Sequence, residues 1–144
     1  MHDRPFYVET DVSDAGICGV LYQKDKNEEK RIISLVSRTL SQCEFHYTTT
    51  EKELLAIIYA INKFRTYLFG TNFYIITDHR ALLFLLSTSY YSSRLTRWSL
   101  LLQQYSFTVC HCPGKENVIA DHFSRNFAEH IEVKQDEFII LSTN

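Results

Sequence analysis

At 144 residues, 45% hydrophobic and 22% charged, the sequence has the make-up of one ordinary globular domain and excludes a disordered, collagen-like or disulfide-stapled chain. The net charge of -2 is unevenly placed: residues 126–144 carry four acids against Lys134, whereas Arg80, Arg94, Arg97, Lys115 and Arg125 face only Glu116 and Asp121 within 79–125, a mild local bias toward phosphate. No apolar run approaches the roughly 18–20 residues of a membrane span, and the start Met1-His-Asp-Arg-Pro5 lacks a signal-peptide layout, so a soluble, intracellular protein without membrane partners is expected.

The first third alternates with period two. Phe6, Val8 and Thr10 point one way and Tyr7, Glu9 and Asp11 the other; Gly16–Lys24 and Arg31–Ser37 follow as two further runs, which predicts a three-stranded antiparallel meander with a charged tip at 24–30. From Thr48 the period becomes helical, and both Thr48 with Glu51 and Thr50 with Glu53 fit a capping box. The pattern predicts one helix to Leu68, stopped by Gly70, with Leu54, Ile57, Ala60, Ile61, Phe64 and Leu68 on one stripe. A strand over 72–77, a short helix over 80–86, a loop at 90–93 and an amphipathic helix over 94–105 come next, with Trp98 in the core. A strand over 107–112, a Pro113-Gly114 turn and a terminal helix over 118–127 complete a βββαβααβα order, which predicts an α/β or α+β domain with a mixed sheet. Residues 1–127 form the expected domain, and 128–144 an acidic, then apolar, tail or linker. Cys18, Cys43, Cys110 and Cys112 are too sparse for a disulfide scaffold, and Cys110-x-Cys112 lacks a second pair for zinc, so they read as reduced core or near-core thiols.

Four carboxylates stand where a purely structural sequence would place neutral or apolar residues. With Ile57 at 0° on the helical wheel, Glu53 falls at about -40°, inside the apolar stripe, whereas Glu51 falls at about 120° and points to solvent. The capping box with Thr50 is the structural alternative for Glu53. Asp11 and Asp78 each end an apolar strand, where ligands bind in open sheets, although turns and helix caps also favour Asp there. Asp121 begins an apolar helical segment, a position that the helix dipole alone would explain. Four such acids drawn from four elements repel one another unless cations bind among them, and hard oxygen donors favour Mg²⁺ or Mn²⁺.

Six blocks carry a family resemblance: Thr10-Asp11-Val-Ser13 with Gly16, Gly19, Leu21 and Gln23; Tyr47-Thr-Thr-Thr-Glu-Lys-Glu53-Leu-Leu-Ala56; Lys63-Phe-Arg65 with Tyr67 and Gly70; Phe73, Ile75 and Thr77-Asp78-His79; Arg94-Leu-x-Arg97-Trp98; and Pro113-Gly-Lys115-Glu-Asn117 with Ala120-Asp121, Ser124 and Arg125. In this order, over roughly Pro5 to Arg125, they resemble the ribonuclease H domain of gypsy-type LTR-retrotransposon reverse transcriptases. The chain departs from the usual pattern at a few points: Val12 stands where Ala is common, small residues are usual near Cys18, and His122 and Phe123 replace Ala-Leu beside Asp121.

The resemblance implies a ribonuclease H-like fold, a five-stranded mixed sheet of order 3-2-1-4-5 flanked by helices. It implies a metal-dependent endonuclease that hydrolyses the RNA strand of RNA/DNA hybrids during reverse transcription. Asp11, Glu53, Asp78 and Asp121 would be the catalytic carboxylates and ligands of two Mg²⁺ ions, with Mn²⁺ as a substitute. Backbone groups near Ser13 to Gly16, with the Glu53 side chain, would contact 2′-hydroxyls, and Arg94, Arg97 and Lys115 phosphates of the DNA strand. His111 would assist proton transfer and product release, while His79 would shape the next helix or the edge of the site. The implied setting is a cytoplasmic retrotransposon particle, with the polymerase portion of the same polyprotein as partner and the isolated domain a monomer. The alternative is a domain that keeps the fold as a binding or tethering module and no longer cuts; all four acids are present, which counts against it.

Overall fold

The computed structural model describes residues 4–77, 79–88, 92–110 and 132–134. The period-two runs form β1 (Phe6–Val12), β2 (Gly16–Lys24) and β3 (Lys30–Thr39), an antiparallel meander. Its tip is organised by Asp25, which accepts from the backbone N–H groups of Asn27 and Glu29 at 2.8 and 3.0 Å and from Arg31 Nε at 2.9 Å.

After a single 3-10 turn at Glu44–His46, α1 spans Thr49–Lys63. Its cap resolves the two sequence options: Thr48 Oγ1 accepts from Glu51 N and Glu51 Oε1 accepts from Thr48 N, so Glu51 closes the box. The predicted stripe is buried throughout. The helix is not continuous to Leu68, however. Phe64 leaves helical backbone values (φ -97°, ψ 13°) and a separate turn, α2 (Arg65–Leu68), follows. The break re-aims the last turn, and Phe64 and Leu68 both stay in the core at 1% and 0% exposure.

Next come β4 (Asn72–Ile76), α3 (His79–Thr88), α4 (Ser93–Leu102) and β5 (Ser106–Cys110). The strand order 3-2-1-4-5 is the expected one, with β1 antiparallel to β2 and parallel to β4, and β4 parallel to β5. A sixth strand, β6 (Glu132–Lys134), pairs antiparallel with β5; it lies within the segment read from the sequence as a tail. The terminal helix expected over 118–127 lies outside the described residues.

One face of the sheet carries Val8, Leu21, Phe73, Ile75 and Val109, and α1, α3 and α4 supply Leu54, Ile57, Ile61, Leu82, Leu85 and Leu102 to the same core. Trp98 is buried with them, as expected. Gly19 on β2 lets α1 come close: a Cβ there would lie 2.6 Å from Ala60 Cβ. On the opposite face Tyr22, Tyr7 and Tyr74 stack across three adjacent strands, with centroids 5.0 and 5.1 Å apart. Of the cysteines, Cys110 is buried and Cys18 half-buried, but Cys43 is exposed just before the 3-10 turn, where the period-two pattern has already ended. Among the described residues no helix is long and apolar enough to cross a membrane.

Candidate active site

Asp11 stands near the end of β1, exposed, with its Oδ1 accepting from Val12 N at 2.9 Å. The strand then turns through Ser13–Ala15 into β2. The Ser13 hydroxyl organises this turn, accepting from Gly16 N at 3.1 Å, while Ser13 N donates to Gly16 O at 2.8 Å. Gly16 is required by packing: a Cβ would sit 2.8 Å from the Arg38 carbonyl oxygen on β3. Asp11, Ser13, Gly16 and Cys18 line a groove of about 380 Å³ whose far wall is Ser37, Arg38 and Thr39. Asp11, Ser13 and Gly16 are therefore brought together. The β3 wall was not singled out in the sequence, because only sheet register brings it opposite Gly16–Cys18.

Glu53 lies on α1, which packs over β1 and β2, and is half-buried, as its place on the apolar stripe predicts. Because the capping box belongs to Glu51, capping does not explain Glu53. Glu51 itself departs from the wheel's solvent-facing expectation: its side chain is only 14% exposed because the start of α4 lies against it. A wheel drawn for one helix holds no information about α4.

A further carboxyl shares the face of Asp11. Glu9 is 1% exposed, and burial pushes its pKa up to about 8, with Asp11 adding to the rise and Lys30 partly offsetting it. At neutral pH it is largely protonated, so Asp11 does not face a second full negative charge along β1. A Glu inside an apolar central strand, on the same side as Asp11, was the sequence signal for it. Burial also raises the Cys18 thiol, with Asp11 paired opposite it contributing.

Arg94 is half-buried on α4, paired with Glu51, and its guanidinium lies 4.0 Å from the Tyr47 ring centroid; Arg97 on the same helix is exposed. Asp78, His111, Lys115, Asp121 and His122 lie outside the described residues, as does the side chain of His79. Among the described residues no group of three His, Cys, Asp or Glu side chains gathers as a metal site, and two of the four implied ligands lie outside them. Asp11 and Glu53 contribute oxygen donors of the kind a hard divalent cation takes.

A family model described as the RNase H-like domain found in reverse transcriptase matches residues 1–105. The retrovirus-related Pol polyproteins from the Drosophila melanogaster transposons opus and gypsy are 39% and 41% identical over 123 residues, 85% of this chain. The transposon Tf2-3 polyprotein of Schizosaccharomyces pombe is 35% identical over 137 residues, 92% of the chain. The chain spans 12%, 11% and 10% of these three relatives. Two structures of a foamy viral protease-reverse transcriptase, one in complex with dsDNA and one with RNA/DNA hybrid, share the fold, with TM-scores of 0.65 and 0.60 at 18% and 20% identity. Each covers 77% of this chain, and 24% and 15% of the viral chains respectively.

Proposed function

This chain belongs to the family of RNase H-like domains found in reverse transcriptases, and from that premise we propose that it is a divalent-metal-dependent endonuclease cutting the RNA strand of RNA/DNA hybrids, beside the polymerase portion of a retrotransposon polyprotein. The observation that carries the reading is the parallel register of β1 with β4. It pairs Glu9 with Ile76, and in the sequence an Asp follows each of these by two residues, Asp11 and Asp78. The strands leading to two acids thus run level at the point where the sheet changes from antiparallel to parallel neighbours, the position at which open sheets bind ligands.

In this reading Asp11, Glu53, Asp78 and Asp121 hold two Mg²⁺ ions, or Mn²⁺ in their place. Such ions supply charge neutralisation at the phosphate and a lowered pKa for the attacking water. Asp11 is exposed in the groove, so it can meet a phosphate from solvent, while Glu53 is half-buried on α1. The groove beside Ser13 and Gly16 admits a sugar-phosphate edge, where contact with 2′-hydroxyls would select RNA over DNA. Arg97, which is exposed, and Lys115 are assigned to phosphates of the DNA strand and His111 to proton transfer.

The test is cleavage of an end-labelled RNA strand in an RNA/DNA hybrid at low salt with Mg²⁺ or Mn²⁺, comparing the protein with Asp78→Asn. Cutting that is lost in the variant and in EDTA is expected. Hybrid binding with no cutting, even at several micromolar protein with Mn²⁺, would replace this reading with the retired binding module.

A further inference from the structure

A second charged cluster lies at the start of α1, away from the groove. Arg94 Nη2 donates to Glu51 Oε2, and the guanidinium lies 4.0 Å from the Tyr47 ring centroid and 5.6 Å from that of Trp98. The two rings themselves meet edge to face at 6.3 Å. Glu51 spends its other oxygen on Thr48 N at 3.0 Å, and Ser92 caps α4 by accepting from Leu95 N. One guanidinium thus joins the first turns of two helices, flanked by two aromatic rings and giving a single Nη2 hydrogen bond to the Glu51 carboxylate. The side chains are 31% and 14% exposed. This pairing is a structural engagement separate from the phosphate contact that the family resemblance suggested for Arg94.

We infer that Arg94 is a positioning residue that clamps the first turn of α1 through Glu51 and thereby fixes Glu53. Glu51 and Glu53 are two residues apart, about 200° around the helix. Arg94 therefore grips one side of the turn while Glu53 approaches the sheet on the other. The inference rests on the reading of Glu53 as a metal ligand, so its test includes a measurement independent of metal.

Glu51→Gln, Arg94→Gln, the double variant and Arg94→Lys separate the possibilities. Gln serves a capping box as well as Glu, so Glu51→Gln removes the ion pair and keeps the cap. Hydrogen exchange at the first-turn amides of α1 should quicken in both single variants, and no further in the double. Mn²⁺ affinity of the full chain without hybrid, read by electron paramagnetic resonance, should fall about tenfold in each single variant and no more in the double, as for residues that orient ligands. Arg94→Lys should not restore either property, since an ammonium lacks the flat face that the guanidinium lays against the Tyr47 and Trp98 rings. The clamp is overturned if Glu51→Gln leaves exchange unchanged, or if Arg94→Gln instead lowers the salt slope of hybrid binding by about one and Lys restores it, the mark of a phosphate contact. A wild-type chain that holds no Mn²⁺ would sink the metal reading of Glu53 and with it the positioning role, while exchange would still report whether the clamp exists.

Discussion

Adding one methyl group at Gly19 tests how tightly α1 is seated on the sheet. The new Cβ would lie 2.6 Å from Ala60 Cβ and 3.6 Å from Val36 Cγ2; carbon contacts settle near 3.5–4.0 Å, so helix and strand must part by roughly 1 Å. Overpacking of this kind costs about 1–3 kcal/mol, and restricting the unfolded chain returns about 0.4–1 kcal/mol, leaving Gly19→Ala roughly 1–2 kcal/mol less stable. Ala60→Gly loses a buried methyl, about 0.8 kcal/mol, and places Gly inside a helix at about 1 kcal/mol, for roughly 2 kcal/mol. In the double variant the methyl merely changes sides of the same contact, the clash is gone, and the loss should shrink to roughly 1 kcal/mol instead of the roughly 3–4 kcal/mol expected from addition. Urea unfolding followed by the fluorescence of Trp98, the single tryptophan and 8% exposed, measures all three variants. If the two changes add to within about 0.5 kcal/mol, the close approach does not limit the helix and the reasoning fails.

Glu44 gives the clearest pH dependence. Arg38 donates to both its oxygens at 2.7 and 2.9 Å, and this pairing, with Ser41 N, outweighs burial to hold its pKa at about 2. A folded pKa below the ordinary value means stabilisation that is complete above about 4.5 and lost as pH falls toward about 2. Glu44→Gln should be less stable than the parent at pH 7, and the gap should close on acidification; a gap unchanged between pH 7 and pH 2.5 in thermal melts would rule the pairing out as its source. Thr48→Ala should lose the α1 cap and about 1 kcal/mol, lowering Tm by roughly 3–5 °C, whereas Thr48→Ser should stay near the parent. Equal melting of the two variants would show that the box contributes nothing.

Local periodicity carried the sequence reading as far as chemistry within one element reaches. Period-two alternation located β1, β2 and β3, and every residue of the 100° stripe is buried, with Glu53 half-buried at its edge; Leu55, Ala56 and Ile58, off the stripe, are buried as well. The order of strands came from the family resemblance and agrees with the observed sheet. What stayed hidden depends on neighbours distant in the chain. Glu51 is covered because α4 crosses it, Arg94 is engaged because Tyr47 and Trp98 flank it, and the break at Phe64 separates two turns whose apolar spacing is continuous. Glu9 was visible as an acid on the side of Asp11, but its protonation at neutral pH follows from burial, which alternation alone does not measure.

The parallel seam between β1 and β4 also sets an order of events. β1, β2, β3 and α1 meet through hairpins and one short connection, whereas β1 reaches β4 only after the whole of α1 and α2 has intervened. Contacts close in sequence form at lower entropic cost, so the meander and α1 can dock before the parallel strands arrive, and pulsed hydrogen exchange during refolding should protect β2 and β3 ahead of β4 and β5. Asp11 and Glu53 belong to the early piece; Asp78 and Asp121 are encoded beyond it. A chain still emerging from the ribosome would thus display Asp11 and Glu53 on a formed platform before Asp78 and Asp121 have left the exit tunnel.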